Sequence, residues 1–308
     1  PALAIPVTQV HADVEISASP RDGIWIEAPD VNLQAELGSL PPDHPLAAVI
    51  HRFFPQPPPR AARGTPAGSG TRGMGEGISI KITSTIPVAA GLGSGAAVSV
   101  ALIRALSSHL GQAMTNDQVN GIAYEIEKIH HGTPSGIDNT VITYARPVFF
   151  IKGRAVEPFR AGKPFTIVIG DTGISAPTKE AVGDVRKLWE ADMARWEKVF
   201  DAIGDITRKA KENIESQKPG GSEVEAWKEL GGLMRQSHAL LQELSVSSPE
   251  LDRLVGAACR AGAWGAKMSG GGRGGNMIAL VRPEMAEAVS RALKEAGARN
   301  TIITTIQP

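Results

Sequence analysis

Alternating and helical patterns of apolar residues follow one another along the whole chain. Alternation predicts strands at residues 7–17, 24–27 and 78–85, and a continuous apolar run predicts a buried strand at residues 165–170. Helical spacing predicts helices over residues 96–110, 116–129, 179–217, 223–244 and 249–261. The last part of the chain predicts a strand at 277–281, a helix at 283–296 and a strand at 301–306. Strands that alternate with helices in this way indicate an α+β or α/β fold.

The chain is long enough for two domains, and its composition changes near residues 153–163. We therefore predict an N-terminal domain over residues 1–160 and a C-terminal domain over residues 161–308. It stays open whether the last strand returns to the N-terminal domain. Residues 54–77 are rich in proline, glycine and arginine, which predicts an exposed loop.

Composition excludes several classes of function. Basic and acidic residues balance at 32 each, so no global field favours nucleic acid or an anionic membrane. No apolar run reaches the roughly 20 residues that span a bilayer. Cys259 is the only cysteine, so it cannot form an internal disulfide, which fits a reducing compartment such as the cytoplasm.

A glycine-rich loop lies between the strand at 78–85 and the helix at 96–110, and it runs Pro87-Val-Ala-Ala-Gly91-Leu92-Gly93-Ser94-Gly95-Ala96-Ala97. Glycines let successive backbone N–H groups face one point, and the following helix adds its own free N–H groups. Such a loop suits a triphosphate. It is equally typical of a tight turn between a strand and a helix. No Gly-Lys-Ser/Thr follows, so it is not a Walker loop.

Two acidic residues flank a dense turn of glycine, proline and serine, in the segment Glu127-Lys-Ile-His130-His131-Gly132-Thr-Pro-Ser135-Gly136-Ile-Asp138. Glu127 could hold Mg²⁺, which favours oxygen ligands, and Asp138 could accept a proton from an attacking hydroxyl. A solvated helix residue and a helix N-cap are the structural alternatives. The adjacent histidines diverge on a helix and have no third ligand at a zinc spacing, so no metal is assigned to them.

A second glycine loop spans Ser269, Gly270, Gly271 and Gly272 and continues to Gly275. A dinucleotide fingerprint should open a helix, but the residues that follow predict a strand, so a Rossmann interpretation fails. A flexible hairpin is the alternative to a second wall of a binding site. Thr178 and Lys179 follow the buried strand at 165–170, where ligands gather in such folds; Thr178 is also a plausible helix N-cap.

These three segments together resemble the GHMP kinase superfamily, and specifically its branch that phosphorylates mevalonate. Pro87-x-x-x-Gly-Leu-Gly-Ser-x-Ala-Ala97 is similar to the ATP-binding motif, and Glu127 through Asn139 resembles the acidic motif. Lys267-Met-Ser-Gly-Gly-Gly-x-Gly-Gly275 resembles the third motif. The resemblance implies an N-terminal domain like ribosomal protein S5 domain 2 and a ferredoxin-like C-terminal domain.

The resemblance also implies transfer of the ATP γ-phosphoryl to the 5-hydroxyl of mevalonate, a step in isoprenoid precursor synthesis. It implies Asp138 as base, Glu127 and the Ser94 hydroxyl as Mg²⁺ ligands, and residues 91–97 as the phosphate site. Thr178, His131, Gly132 and Ser135 are the implied substrate contacts. ATP, Mg²⁺ and mevalonate are thus the expected ligands, and the long helices at 179–244 could line a homodimer surface.

Two departures from the family pattern stand out. Gly95 takes the place of a second serine that often contributes to Mg²⁺ binding, and no residue matches the lysine of the family's first motif. We therefore expect the sequence to be truncated at its start. The alternatives are another kinase of the superfamily, acting on a sugar or homoserine, and an inactive homologue that binds a nucleotide or metabolite.

Overall fold

The computed structural model describes residues 1–55, 77–86, 91–131, 134–175, 178–216 and 222–308. Contacts within the chain divide it into two compact units. Unit 1 comprises Pro1–Gln9, Val88–Leu92 and Ala145–Pro308, and unit 2 comprises Val10–Pro87 and Gly93–Tyr144. The domain boundary near residue 160 stays a prediction.

Unit 2 is a four-stranded sheet with helices packed against it. Its elements are β2 (Ala12–Ser19), β3 (Ile24–Ala28), β4 (Leu33–Glu36), α1 (Pro45–Phe53), β5 (Gly77–Ser84), α2 (Ser94–His109), α3 (Asn116–His131) and α4 (Ile137–Tyr144). The strand order is β2-β5-β3-β4, with β3 parallel to β5 and the other pairs antiparallel. Ile26, Ile80, Leu102 and Ile103 are fully buried in its core, which joins the sheet to α1, α2 and α3.

Unit 1 contains two sheets. The small one has the order β1-β6-β7, from β1 (Ala2–Ala4), β6 (Val148–Phe150) and β7 (Glu157–Pro158). The larger one is antiparallel, with the order β11-β8-β10-β9, from β8 (Phe165–Asp171), β9 (Gly265–Ser269), β10 (Asn276–Val281) and β11 (Asn300–Ile306). Its helices are α5 (Thr178–Ala191), α6 (Met193–Glu215), α7 (Glu223–Glu243), α8 (Pro249–Arg260) and α9 (Ala286–Glu295).

Two sequence predictions need correction. The predicted helix over 179–217 is two helices, because Asp192 lies between them and its side chain accepts a hydrogen bond from the Arg195 N–H, which caps α6. The predicted strand at 7–17 begins only at Ala12. The last strand, whose place was left open, pairs with β8 inside unit 1.

Other predictions of helices and strands are confirmed, notably the start of α3. The Gln118 N–H donates to the Thr115 hydroxyl at 3.3 Å, and the Thr115 N–H donates to the Gln118 side-chain oxygen at 2.9 Å. This reciprocal pair is a capping box. Most of the proline- and glycine-rich stretch, residues 56–76, lies outside the described residues.

Candidate active site

The helix that follows the first glycine loop begins without a side-chain cap. Gly93 is its N-cap residue and takes the left-handed conformation, with φ of +68°. Glycine has no side chain, so the N-cap residue itself makes no hydrogen bond to the first N–H groups of α2. The backbone N–H groups and the positive dipole end of a helix start attract anions. Residues 87–90 of the predicted loop lie outside the described residues.

Asp138 lies directly beside this helix start. A Cβ built on Gly93 would stand 3.6 Å from the Asp138 Cβ and 3.7 Å from its Cγ. The same Cβ would be 3.1 Å from Ile142 Cδ1, which is tighter than ordinary contact. Asp138 is exposed and sits in the first turn of α4, so it is not the N-cap residue of that helix. The acid and the glycine loop are therefore adjacent within unit 2.

Glu127 reaches the same helix start from α3. A Cβ on Gly95 would lie 3.8 Å from Glu127 Oε1, and Glu127 is only 8% exposed. The position of Glu127 follows from the helical period of α3. Val119, Ala123 and Ile126 face the core, and Glu127 lies at the edge of that buried face. Both predicted carboxylates thus come to the N-terminus of α2.

The turn before Asp138 is fixed by local contacts. Gly136 has φ of +83°, and a Cβ on it would be 3.4 Å from the Tyr124 ring. The Ser135 hydroxyl accepts a hydrogen bond from the Ile137 N–H at 3.3 Å. Gly132 lies outside the described residues, as do the side chains of His131 and Thr178, although His131 ends α3 and Thr178 begins α5.

The second glycine loop forms a hairpin in unit 1 between β9 and β10, in which Ser269 pairs with Asn276. This confirms that a strand, and not a helix, follows it. Gly272 has φ of +82°, and a Cβ there would meet the Val246 carbonyl oxygen at 1.9 Å. The Arg273 N–H donates to that same oxygen at 2.8 Å. The loop is therefore packed tightly against the turn that follows α7, which only glycine at 272 permits.

Two titratable groups at this hairpin were missed by the sequence analysis. Burial lowers the pKa of Lys267 to about 8, and its ammonium donates to the Met268 carbonyl at 2.6 Å. Burial is also the main reason that the pKa of His238 is lowered; the Lys267 charge adds to it, and Asp252 opposes it. His238 Nδ1 accepts from the Met268 N–H at 3.4 Å. Lys267 is the first residue of the third motif, but the motif does not indicate that its ammonium group is desolvated.

The sequence matches two parts of one family. Residues 61–146 match the GHMP kinases N terminal domain, and residues 210–299 match the GHMP kinases C terminal. Together the two matches cover more than half of the chain. The chain belongs to the GHMP kinases, and the two-domain α+β fold predicted for it is confirmed.

Within this family the chain is similar to mevalonate kinases. It is 41% identical over 202 residues to the mevalonate kinase of Pyrococcus furiosus, a match that covers 65% of this chain and 58% of the relative. The chain thus spans less than two thirds of the curated relatives that it matches. Its structure is similar to L. major mevalonate kinase in complex with R-mevalonate, with a TM-score of 0.77 and 25% identity, covering 97% of this chain and 86% of that one.

A second solved structure gives the same result. The mevalonate kinase from methicillin-resistant Staphylococcus aureus superposes with a TM-score of 0.68 and 27% identity, covering 100% of this chain and 92% of that one. In the described part of the chain, no helix is both long and apolar enough to cross a membrane.

Proposed function

We propose that this chain transfers the γ-phosphoryl group of ATP to the 5-hydroxyl of mevalonate. The observation that carries the proposal is the position of Asp138 beside Gly93, at the N-terminus of α2. Phosphoryl transfer requires positioning and charge neutralisation more than covalent work by the protein, and both are available at this place. Similarity to mevalonate kinases selects the alcohol.

The first turn of α2 binds the phosphates in this proposal. Residues 91–97 supply backbone N–H groups, and the positive end of the helix dipole adds to the attraction. Gly93 and Gly95 carry no side chain, so the anion approaches the backbone closely. Leu92, Ala96 and Ala97 complete the loop, and Ala96 and Ala97 are buried where the helix joins the core.

Mg²⁺ fits the side chains present. Glu127 supplies a carboxylate and Ser94 a hydroxyl, both oxygen donors of the kind that Mg²⁺ prefers, and the described residues hold no cluster of three acidic, histidine or cysteine side chains that could bind a metal without help. An ion held by two protein groups relies on nucleotide phosphates and water for its other ligands. When bound, Mg²⁺ neutralises charge on the triphosphate. Gly95 leaves room beside Glu127 Oε1, because a Cβ there would lie 3.8 Å from that oxygen.

Asp138 acts as the base. Its exposed carboxylate accepts the proton of the mevalonate 5-hydroxyl as the oxygen bonds to the γ-phosphorus, and the bond to the β-phosphate oxygen breaks to release ADP. Ser135, Gly132, His131 and Thr178 are proposed to contact mevalonate, and Ser269 with Gly270, Gly271 and Gly272 to support the phosphate site. A cytoplasmic location and a homodimer are proposed with the same activity.

Product analysis tests the function. The protein is incubated with Mg-ATP and, separately, mevalonate, galactose or homoserine, and ADP and the phosphorylated product are quantified. We expect phosphomevalonate and ADP in equal amounts, and only background ADP with the other alcohols. A phosphorylated sugar or amino acid without phosphomevalonate would contradict the proposal. No turnover with any alcohol, together with retained ATP binding, would favour the inactive homologue.

A further inference from the structure

One side chain of α3, Asn120, binds the first turn of the helix that carries Asp138. The last turn of that helix is bound separately, by Asp117 of α3 through the Tyr144 hydroxyl and by Arg104 of α2 through the Thr143 carbonyl. The Asn139 side-chain NH₂ donates to Asn120 Oδ1 at 2.6 Å, with the Asn120 carbonyl farther away at 3.4 Å, and the Thr140 hydroxyl oxygen lies 3.3 Å from Asn120 Oδ1. Asn139 is 2% exposed, and a buried donor without an acceptor is strongly unfavourable, so the Asn139 amide depends on Asn120.

The anchored residues flank Asp138 on both sides. The Thr140 hydroxyl donates its one proton to the Gly136 carbonyl at 2.6 Å, and Gly136 packs on the Tyr124 ring. The chain is therefore tied to α3 two residues before Asp138 and again one and two residues after it. Successive helix residues point about 100° apart, so Asn139 turns inward toward α3 while Asp138 stays exposed beside Gly93.

The same helix carries the other carboxylate. Asn120, Tyr124 and Glu127 are spaced by four and three residues, which places them along one side of α3. Glu127 reaches the start of α2, and Asn120 fixes α4 two turns earlier. The separation of the two carboxylates consequently depends on how Asn120 holds α4.

We infer that Asn120 is a positioning residue, which sets the place of the Asp138 carboxylate relative to Glu127 and to the phosphate-binding turn of α2. The inference rests on the proposed function for its catalytic consequence and on the contacts of Asn120 for its structural part. Asn120 acts through Asn139 and Thr140 and does not touch the reacting atoms. Loosening α4 moves the base but leaves the N–H groups of α2 in place.

The test compares three variants of the chain. Asn120→Ala removes the acceptor, and Asn120→Asp keeps an acceptor oxygen at the same reach. Glu125→Ala is the matched control, because Glu125 lies on the exposed side of α3 and accepts a hydrogen bond from Lys128 of the same helix rather than from α4. The kcat with mevalonate, the KM for ATP, the Kd for ATP and the hydrogen exchange of residues 137–144 are measured for each.

For Asn120→Ala we expect kcat to fall roughly 10- to 100-fold, because a displacement of about 1 Å has such an effect on reacting groups. The Kd for ATP should change by less than about threefold. Asn120→Asp should restore most of kcat at pH 8, and Glu125→Ala should stay near wild type. An unchanged kcat in Asn120→Ala, or an equal loss in Glu125→Ala, would overturn the inference.

Hydrogen exchange separates this inference from the function. If the wild-type chain does not phosphorylate mevalonate, the proposed function fails. Hydrogen exchange alone then tests whether Asn120 holds α4 in place. Faster exchange confined to residues 137–144 in Asn120→Ala, and absent in Glu125→Ala, supports it. Unchanged protection overturns it. If Asn120→Ala does not fold, Asn120→Ser replaces it, since its hydroxyl is too short to reach Asn139.

Discussion

Replacing Gly93 with alanine perturbs the candidate active site at its tightest point. The backbone at 93 is left-handed, which costs an L-residue about 1–2 kcal/mol. The added methyl would stand 3.1 Å from Ile142 Cδ1 and 3.6 Å from the Asp138 Cβ, so the Ile142 side chain must give by a few tenths of an ångström. Such overpacking costs about 1–3 kcal/mol more. We expect the crowding to displace Asp138, on the same helix as Ile142, from the phosphate-binding turn.

Gly111 offers a matched control at the other end of α2. Its φ is +65°, close to that of Gly93, but a Cβ there would meet nothing within 4 Å. Gly111→Ala should therefore lose only the backbone term of about 1–2 kcal/mol in urea unfolding, with kcat near wild type. Gly93→Ala should be less stable than Gly111→Ala and lose roughly 100-fold in kcat. Equal kcat in the two variants would refute the reasoning.

Further predictions concern the second glycine loop and the groups beside it. Gly272→Ala should unfold at a clearly lower urea concentration than Gly270→Ala. Both glycines have positive φ, but only a Cβ at 272 meets the Val246 carbonyl oxygen, at 1.9 Å. Equal urea midpoints for the two variants would contradict this. The pKa of Lys267 falls from 10.5 to about 8 on folding, so the unfolded state binds more protons between these values and stability rises with pH there. Lys267→Met should remove that rise, measured by unfolding at pH 8 and 10. The pKa of His238 is likewise lowered, so the wild type should lose stability as the pH falls below about 6.5, and His238→Asn should lose less.

Local signals predicted much of the fold. The capping box of Thr115 and Gln118 marks the start of α3, and the unbroken apolar run at residues 165–170 marks β8. The first glycine loop was assigned correctly to a strand–helix junction, and the strand that follows the second loop was predicted correctly. These features depend on residues that are neighbours in sequence, so a single segment contains the information.

The missed features depend on distant contacts. β1 is three residues long and exists because it pairs with β6, almost 150 residues away. β9 is a strand at the edge of its sheet, and its sequence, which includes Lys267, shows no alternation of apolar and polar residues. α4 is only eight residues long and begins within the glycine turn. Asn120 has no distinctive neighbours; its importance comes from Asn139, nineteen residues on. Asp192 caps the start of α6 within a stretch whose helical pattern is continuous, so the pattern conceals the break.

Only part of the candidate site could be predicted, because its other features also depend on contacts between residues that are distant in sequence. Residue type and spacing indicated Glu127 and Asp138, because carboxylates beside a glycine-rich turn suit a metal–nucleotide complex. That both lie at the N-terminus of α2 is a matter of tertiary structure. The desolvation of Lys267 likewise arises from packing that no motif encodes.

The central claim is that a carboxylate at 138 removes a proton beside a phosphate held by α2. The most direct measurement compares wild type with Asp138→Asn in steady-state phosphorylation of mevalonate, alongside the Kd for Mg-ATP. We predict a loss of roughly 10²- to 10⁴-fold in kcat with nearly unchanged nucleotide affinity. An Asp138→Asn variant that phosphorylates mevalonate at the wild-type rate would contradict the claim.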